Sequence, residues 1–216
     1  MKMDALGACQ LFQGIPDEER SSLLSCLQAL KKEYKRGEIL VHTGQTISRF
    51  GILISGCLHI IKEDHRGNTA IVAQISPGEL FGEAFVCAAS SFTVTVSAEE
   101  DSFVLWLEYS KILFPCSKNC KTHRELISNL VRILSQRNIF LTGRVEHLSQ
   151  RTLREKVLSY LEELSRQQNS RDIMVPLNRQ AMADYLGADR SALSAVLSAM
   201  ARDGMIIYQK NHFTLL

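Results

Sequence analysis

Arg190, Ser191 and Ser194 are the residues of this chain whose types and spacing point most directly to a chemistry. On one helix, positions 190, 191 and 194 share a face. That face would carry a guanidinium and two hydroxyls, groups that bond phosphate oxygens or base edges in a major groove. The stretch from Asn178 to Gly204 supplies the helix: Met182, Ala183 and Leu186, then Leu193, Val196, Leu197 and Met200, recur at three- and four-residue spacing. The pattern breaks once, at Leu186-Gly187-Ala188-Asp189. Gly187 can take the positive φ that ends one helix, and Asp189 is a good N-cap for the next. The spacing therefore predicts two helices joined by about three residues, a helix-turn-helix. Any two packed helices with a glycine between them share that pattern, so the flanking elements decide.

Before the motif, Leu153, Val157, Leu158, Tyr160, Leu161 and Leu164 predict an amphipathic helix, and Asp172 to Leu177 reads as a short strand. After it, Met205–Tyr208 and His212–Leu215 read as two strands around Gln209-Lys210-Asn211. Helix, strand, helix, turn, helix, hairpin is the order of a winged helix-turn-helix. Its core would be closed by Leu158, Leu161, Leu186, Val196, Met200 and Ile206.

The other end of the chain has a different period. Leu11 to Leu30 is a helical lead-in, started at Pro16 and the acidic run Asp17-Glu18-Glu19. From Tyr34 to about Leu107, short β-rich runs begin at Ile39, Phe50, Leu58, Ala70 and Phe103; glycines separate them, and Asp64-His65-Arg66-Gly67-Asn68 is a hairpin turn. Many short strands with regular turns predict an antiparallel barrel or roll. Between the two ends, Ile127, Leu130, Leu134, Asn138, Leu141, Val145, Leu148 and Thr152 form a narrow helical stripe flanked by polar residues such as Arg132, Arg137 and Arg144. The stripe predicts the seam of a homodimeric coiled coil, with Asn138 setting register; a helix lying along its own β domain is the alternative. The expected fold is α+β: a sensor domain at 1–117, a dimerisation helix at 118–150 and a DNA-binding domain at 151–216.

Composition bounds the function classes. At 216 residues, 45% hydrophobic and 22% charged, the chain is an ordinary globular sequence long enough for two cores. A net charge of +2 neither supports nor excludes DNA as a partner. No apolar run approaches the roughly 20 residues that span a bilayer, and the amino terminus lacks a signal-peptide core, so a cytoplasmic protein with no membrane partner is expected. Of the six cysteines only Cys116 and Cys120 lie close together, and no metal-ligand set is recognisable; thiols are expected rather than disulfides. No P-loop, nucleophile elbow or catalytic constellation appears, so no catalytic residues are assigned and the chain is not expected to be an enzyme.

With these elements in order, nearly the whole chain resembles the CRP/FNR family of bacterial transcription regulators. The specific runs are Pro77-Gly-Glu-Leu-Phe-Gly-Glu83, which is similar to the effector cassette of the family's roll, and Asn178-Arg-Gln, Leu186-Gly187 and Arg190-Ser191, which are similar to its DNA-reading module. The resemblance implies a cupin-like jelly roll of the cyclic-nucleotide-binding kind, a long dimer helix and a winged helix-turn-helix. It places Asn178, Arg179 and Gln180 at the phosphate backbone and Arg190, Ser191 and Ser194 on the recognition helix. Palindromic double-stranded DNA, a second copy of the chain and RNA polymerase are the implied partners.

Departures from the family pattern matter as much. Ser191 and Ala195 stand where many members carry a base-reading glutamate and arginine, which implies a different or looser operator. The resemblance puts an effector pocket at Gly82, Glu83, Phe92 and Thr93, covered by Leu141 and Thr142. Cyclic-nucleotide binders hold the cyclic phosphate there with an arginine, and no arginine occurs from position 67 to 123. A phosphate buried without a bidentate cation is poorly compensated, so cyclic AMP is not expected. A less charged ligand lined by Phe85, Phe92 and Val94 is one reading, and Phe92 as a plug in a vestigial site is another. An iron–sulfur cluster is not expected, since only Cys9 lies near the amino terminus. Haem is not expected either, since none of the six histidines sits in a telling motif.

Overall fold

The computed structural model describes residues 4–63, 66–114 and 121–216. Cys116, Cys120, Asp64 and His65 lie outside the described residues, so the paired cysteines and the tip of the expected hairpin turn are not placed. The chain divides into two compact units, Met1–Ser135 and Gln136–Leu216, and the division falls inside one helix.

The first unit begins with α1 (Asp4–Ala8), a short 3-10 turn and α2 (Asp17–Cys26), whose first turn carries Asp17, Glu18 and Glu19 at the positive end of the helix dipole. Among the described residues, eight strands come next: β1 (Leu30–Tyr34), β2 (Ile39–Val41), β3 (Arg49–Ser55), β4 (Leu58–Glu63), β5 (Thr69–Ile75), β6 (Leu80–Phe81), β7 (Thr95–Ala98) and β8 (Ser102–Glu108). They form two antiparallel four-stranded sheets, in the orders β1-β8-β3-β6 and β2-β7-β4-β5. The fully buried Phe50, Ile52, Leu53, Leu58, Val104 and Leu107 supply the core. Leu30, expected in the lead-in helix, opens β1 opposite Trp106 instead. The short helix α3 (Glu83–Cys87) comes after β6, and α4 (Tyr109–Leu113) after β8.

Helix α5 (Lys121–Leu148) crosses the division. In the first unit Leu126, Leu130 and Ile133 are buried, and Ile127 and Leu134 pack partly on the same core. Asn129 anchors this half by donating through Nδ2 to the carbonyls of Leu11 at 3.1 Å and Gln13 at 2.8 Å. The expected seam is therefore corrected at Leu130, which belongs to its own unit's core and offers no surface to a second helix. From Gln136 onward the helix is largely exposed: Asn138, Ile139, Phe140, Leu141, Thr142 and Val145 face solvent, and Leu148 is half-buried. Thr152 is corrected too. It lies past the helix and starts the next one, accepting from Glu155 N–H while Glu155 Oε2 accepts from Thr152 N–H, a capping box.

That next helix, α6 (Leu153–Gln168), leads through β9 (Asp172–Met174) to α7 (Arg179–Tyr185), α8 (Arg190–Arg202) and the hairpin β10 (Ile206–Gln209) and β11 (His212–Leu215). The three strands pair in the order β10-β11-β9. Val157, Leu161, Leu186, Leu193, Leu197, Met200, Ile206 and Phe213 form the core of this second unit. Among the described residues no helix is long and apolar enough to cross a membrane.

Candidate nucleic-acid interface

Helix α8 is held by Leu193, Leu197 and Met200, each fully buried at three- or four-residue spacing. The opposite face presents Arg190, Ser191, Ser194, Ala195 and Ser198, all exposed. Arg190 is the first residue of the helix and makes no ion pair among the described residues. Its guanidinium is thus available to an outside partner and flanked by hydroxyls. Ser194 has a more restricted role, because its hydroxyl donates to the Arg190 carbonyl at 2.9 Å. Only its lone pairs remain, so toward a base it accepts, as an exocyclic amino group requires. Asp189 occupies the N-cap position in extended conformation, but its side chain makes no capping bond.

The turn before α8 is set by Gly187 at φ +64°, where an added Cβ would lie 3.2 Å from Leu148 Cδ2. The positive φ favours glycine, and any side chain here would also have to push Leu148 Cδ2 aside by a few tenths of an ångström. Helix α7 is started by Asn178, whose side-chain oxygen accepts from Ala181 N–H at 2.9 Å. That bond commits the oxygen of Asn178, while the amide NH2 of this exposed residue keeps its donors. Gln180 is exposed and donates to Asp184 Oδ1 at 2.9 Å along its own helix. Arg179, expected beside them at the phosphates, lies half-buried against the hairpin. It donates to the Lys210 carbonyl at 3.1 Å and lies over the rings of Tyr208 and Phe213, at 5.4 and 5.5 Å. Those rings stack across a register pair of β10 and β11. Arg179 thus fixes the wing to α7, and the cation it leaves at the wing tip is Lys210, exposed at φ +53°. Sequence reasoning passed over Lys210, although a lysine in a two-strand turn beside a recognition helix is a usable signal.

Two further residues had no local signature. Arg144, near the end of α5, donates to the carbonyls of Tyr185 and Asp184, both at 3.1 Å, and its guanidinium lies 5.5 Å from the Tyr185 ring centre. It therefore satisfies the carbonyl end of α7. His147 is buried, with Nε2 2.6 Å from Glu163 Oε2 and Nδ1 2.9 Å from Ser159 Oγ. The helix-turn-helix is thereby tied to the last turns of α5 through α6 and α7. Tyr160, packed against His147 and Tyr185, has its phenol pushed up to about 12, first by burial and then by neighbouring Tyr185 and Glu163.

In the first unit, Gly82 opens α3 at φ +78°, a left-handed conformation that glycine tolerates. A Cβ there would sit 2.7 Å from Phe92 Cζ. Phe92 is fully buried and stacked on Phe85 with ring centres 4.6 Å apart. Its backbone is held as well: its N–H donates to Gln45 O at 2.8 Å and its carbonyl accepts from Gly44 N–H at 2.6 Å. Glu83 is buried, Thr93 exposed. Gly82 and Phe92 are thus brought together, and the aromatic ring occupies the space over the glycine. Leu141 and Thr142 are exposed on the part of α5 that belongs to the second unit.

The family model for the cyclic nucleotide-binding domain matches residues 31–119, and that for the Crp-like helix-turn-helix domain matches residues 155–216. The chain is 26% identical over 196 residues to the cyclic AMP receptor protein of Thermus thermophilus, covering 91% of this chain and 87% of that one. Among solved structures, the catabolite activator protein of Thermus thermophilus has a TM-score of 0.57 at 23% identity, covering 96% of this chain and 93% of that one. CprK complexed with OCPA has a TM-score of 0.61 at 15% identity, with coverages of 90% and 88%. At these identities the two structures bear on the fold alone.

Proposed function

We propose, starting from the fact that this chain belongs to the CRP/FNR family of bacterial transcription regulators, that it acts as a homodimer reading a palindromic DNA site under the control of a ligand other than cyclic AMP. The observation that carries the DNA reading is the outer face of α8, where an arginine without an ion pair among the described residues and exposed hydroxyls stand on a helix whose other face is fully buried. Arg190 is the base- or phosphate-reading cation, Ser194 an acceptor and Ser191 a donor or acceptor. Asn178 and Gln180, with Lys210 of the wing, bond the phosphate backbone. Arg179 serves by fixing the wing.

Dimerisation is supported by the apolar surface on the second half of α5, where Ile139, Phe140, Leu141 and Val145 are each more than half exposed. A second copy of the same helix would bury that stripe, with Asn138 setting register. The two recognition helices then have to lie about one DNA turn apart, roughly 34–36 Å, to enter successive major grooves. Against cyclic AMP stands the lack of any arginine in the sequence from position 67 to 123, together with the Phe92 ring over Gly82. The spacing of the histidines and cysteines in the sequence suggests no haem or iron–sulfur ligand set. A cytoplasmic location and contact with RNA polymerase belong to this reading, as does a non-enzymatic role.

An electrophoretic shift with genomic fragments tests it. Saturable retardation at moderate salt, lost in Arg190→Ala, is the expected result. Retardation that the substitution leaves unchanged would remove α8 as the reading element. No retardation at all would favour a ligand-binding module that acts through protein partners, a reading to which Ala195, in place of the family's arginine, lends support.

A further inference from the structure

While the space over Gly82 is filled, a cavity of about 620 Å³ lies elsewhere in the same unit, between β1, β3, β8 and the segment around β2. It shares no lining residue with the Gly82–Phe92 niche. Its apolar wall is made by Leu40, Ile47 and the indole of Trp106, and its charged wall by Lys31, Lys32 and Arg49. Among the described residues, no carboxylate belongs to the lining. An acid behind the wall, Glu108, holds Arg49 Nε at 3.2 Å from one oxygen and accepts from Ser48 Oγ at 3.0 Å. Glu108 therefore orients the guanidinium and offsets one of the three charges.

The wall is organised by the fold. Leu30 and Trp106 are register partners on β1 and β8, and Arg49 faces Glu108 across β3 and β8. Trp106 is held on two sides: its Nε1 donates to Tyr34 Oη at 3.1 Å, and the Phe81 ring meets it edge-on at 5.2 Å. Gly51, next to it on β3, has no side chain because the Phe81 ring occupies that place, 2.2 Å from where a Cβ would be. Lys32 and Arg49 lie on the Trp106 face of the sheet, Lys32 with its Nζ 4.5 Å over the Tyr34 ring, while Lys31, next along β1, contributes from the edge. A fixed aromatic wall and two cations on one face border a space of ligand size, which is the composition of a small-molecule site. Cations are repelled by it, and a fully polar anion would leave the indole and the two aliphatic side chains without a partner.

We infer that this cavity binds an amphipathic organic anion, with a carboxylate or similar head toward Arg49 and Lys32 and an aromatic or short aliphatic body against Trp106 and Ile47. The inference does not depend on the DNA-binding reading and is tested without DNA. Trp106 is the only tryptophan of the chain, so a fluorescent anion bound here must take excitation energy from it.

The probe is 1-anilinonaphthalene-8-sulfonate, added to the full-length chain with emission excited through tryptophan. The expected result is saturable energy transfer at one site per chain, reversed by phenylacetate and not by the same concentration of inorganic phosphate. The uncharged N-phenyl-1-naphthylamine should bind at least about tenfold more weakly, because it forgoes the charge-assisted bonds. Arg49→Gln should weaken the sulfonate by about tenfold. Arg49→Gln strands Glu108 and can unfold the sheet, so Lys32→Gln and Ile47→Phe, checked by thermal melting, provide independent readouts: weaker binding in the first and loss of binding in the second, where the bulkier ring fills the space and adds no second tryptophan. Equal affinity for the charged and uncharged dyes would overturn the proposal. So would transfer that Ile47→Phe and Lys32→Gln leave unchanged.

Discussion

The helix-turn-helix and the Gly82 niche use the same backbone device with opposite results. In each, a glycine at positive φ precedes a helix: Gly187 at +64° before α8, and Gly82 at +78° at the start of α3. Beyond Gly187 the chain presents an exposed arginine and an exposed serine over a buried apolar face. Beyond Gly82 it buries a glutamate, and the buried ring of Phe92 fills the concavity. The turn creates the place; the side chains decide whether it is offered or closed. A familiar loop shape therefore says little about ligand binding until the volume above it is checked, whereas exposed polar groups on a rigid helix can be read as a contact surface directly.

The comparison can be broken at either end. Phe92→Ala should have the largest effect: removing a fully buried ring ought to cost about 3–5 kcal/mol of stability in chemical denaturation of the first unit. A loss below about 1 kcal/mol would mean the ring is not integral to the core. Arg190→Ala should rank next, with DNA affinity reduced about 100-fold if each protomer loses one contact of 1–3 kcal/mol, and with the melting temperature unchanged. A matching loss of melting temperature would make Arg190 a structural residue. Gly187→Ala should destabilise the second unit by about 1–2 kcal/mol through its positive φ, with Leu148 also having to give way. An unchanged denaturation midpoint would show that the turn does not need glycine.

The smallest effect concerns pH. With the Tyr160 phenol raised to about 12 in the folded chain, both states are protonated below pH 10 and stability there is unaffected. Above pH 10 the unfolded chain releases its proton first, so stability falls between pH 10 and 12, by about 1 kcal/mol at pH 11. Tyr160→Phe should flatten that decline in alkaline melts. An identical decline in the variant would assign it to other groups.

The helix-turn-helix was legible because its signal is local. The 3.6-residue period of Leu193, Leu197 and Met200 and the break at Gly187 survive without tertiary context. The capping box at Thr152 and Glu155 was present in the sequence too, and it marks where the helical stripe stops. Strand β1, Leu-Lys-Lys-Glu-Tyr, was not legible, because Tyr34 alone is buried, three of the other four residues are charged, and Leu30 is exposed. The stripe on α5 was legible as an apolar face, but periodicity does not say what covers it. The first half of that face is covered by the helix's own unit, and the second is not. Arg144 and His147 carried no sequence signal because their partners lie 41 and 16 residues away. The Trp106 cavity likewise draws on β1, β3 and β8, three strands distant in sequence.

The central claim is that α8 reads DNA from each of two paired chains. The most direct measurement is a hydroxyl-radical footprint on the site recovered by selection from random DNA with the full-length chain. The account predicts two protected tracts related by a dyad, with half-sites about 10 base pairs apart and both lost in Arg190→Ala. A single protected tract without dyad symmetry, or two tracts that persist in Arg190→Ala, would contradict it.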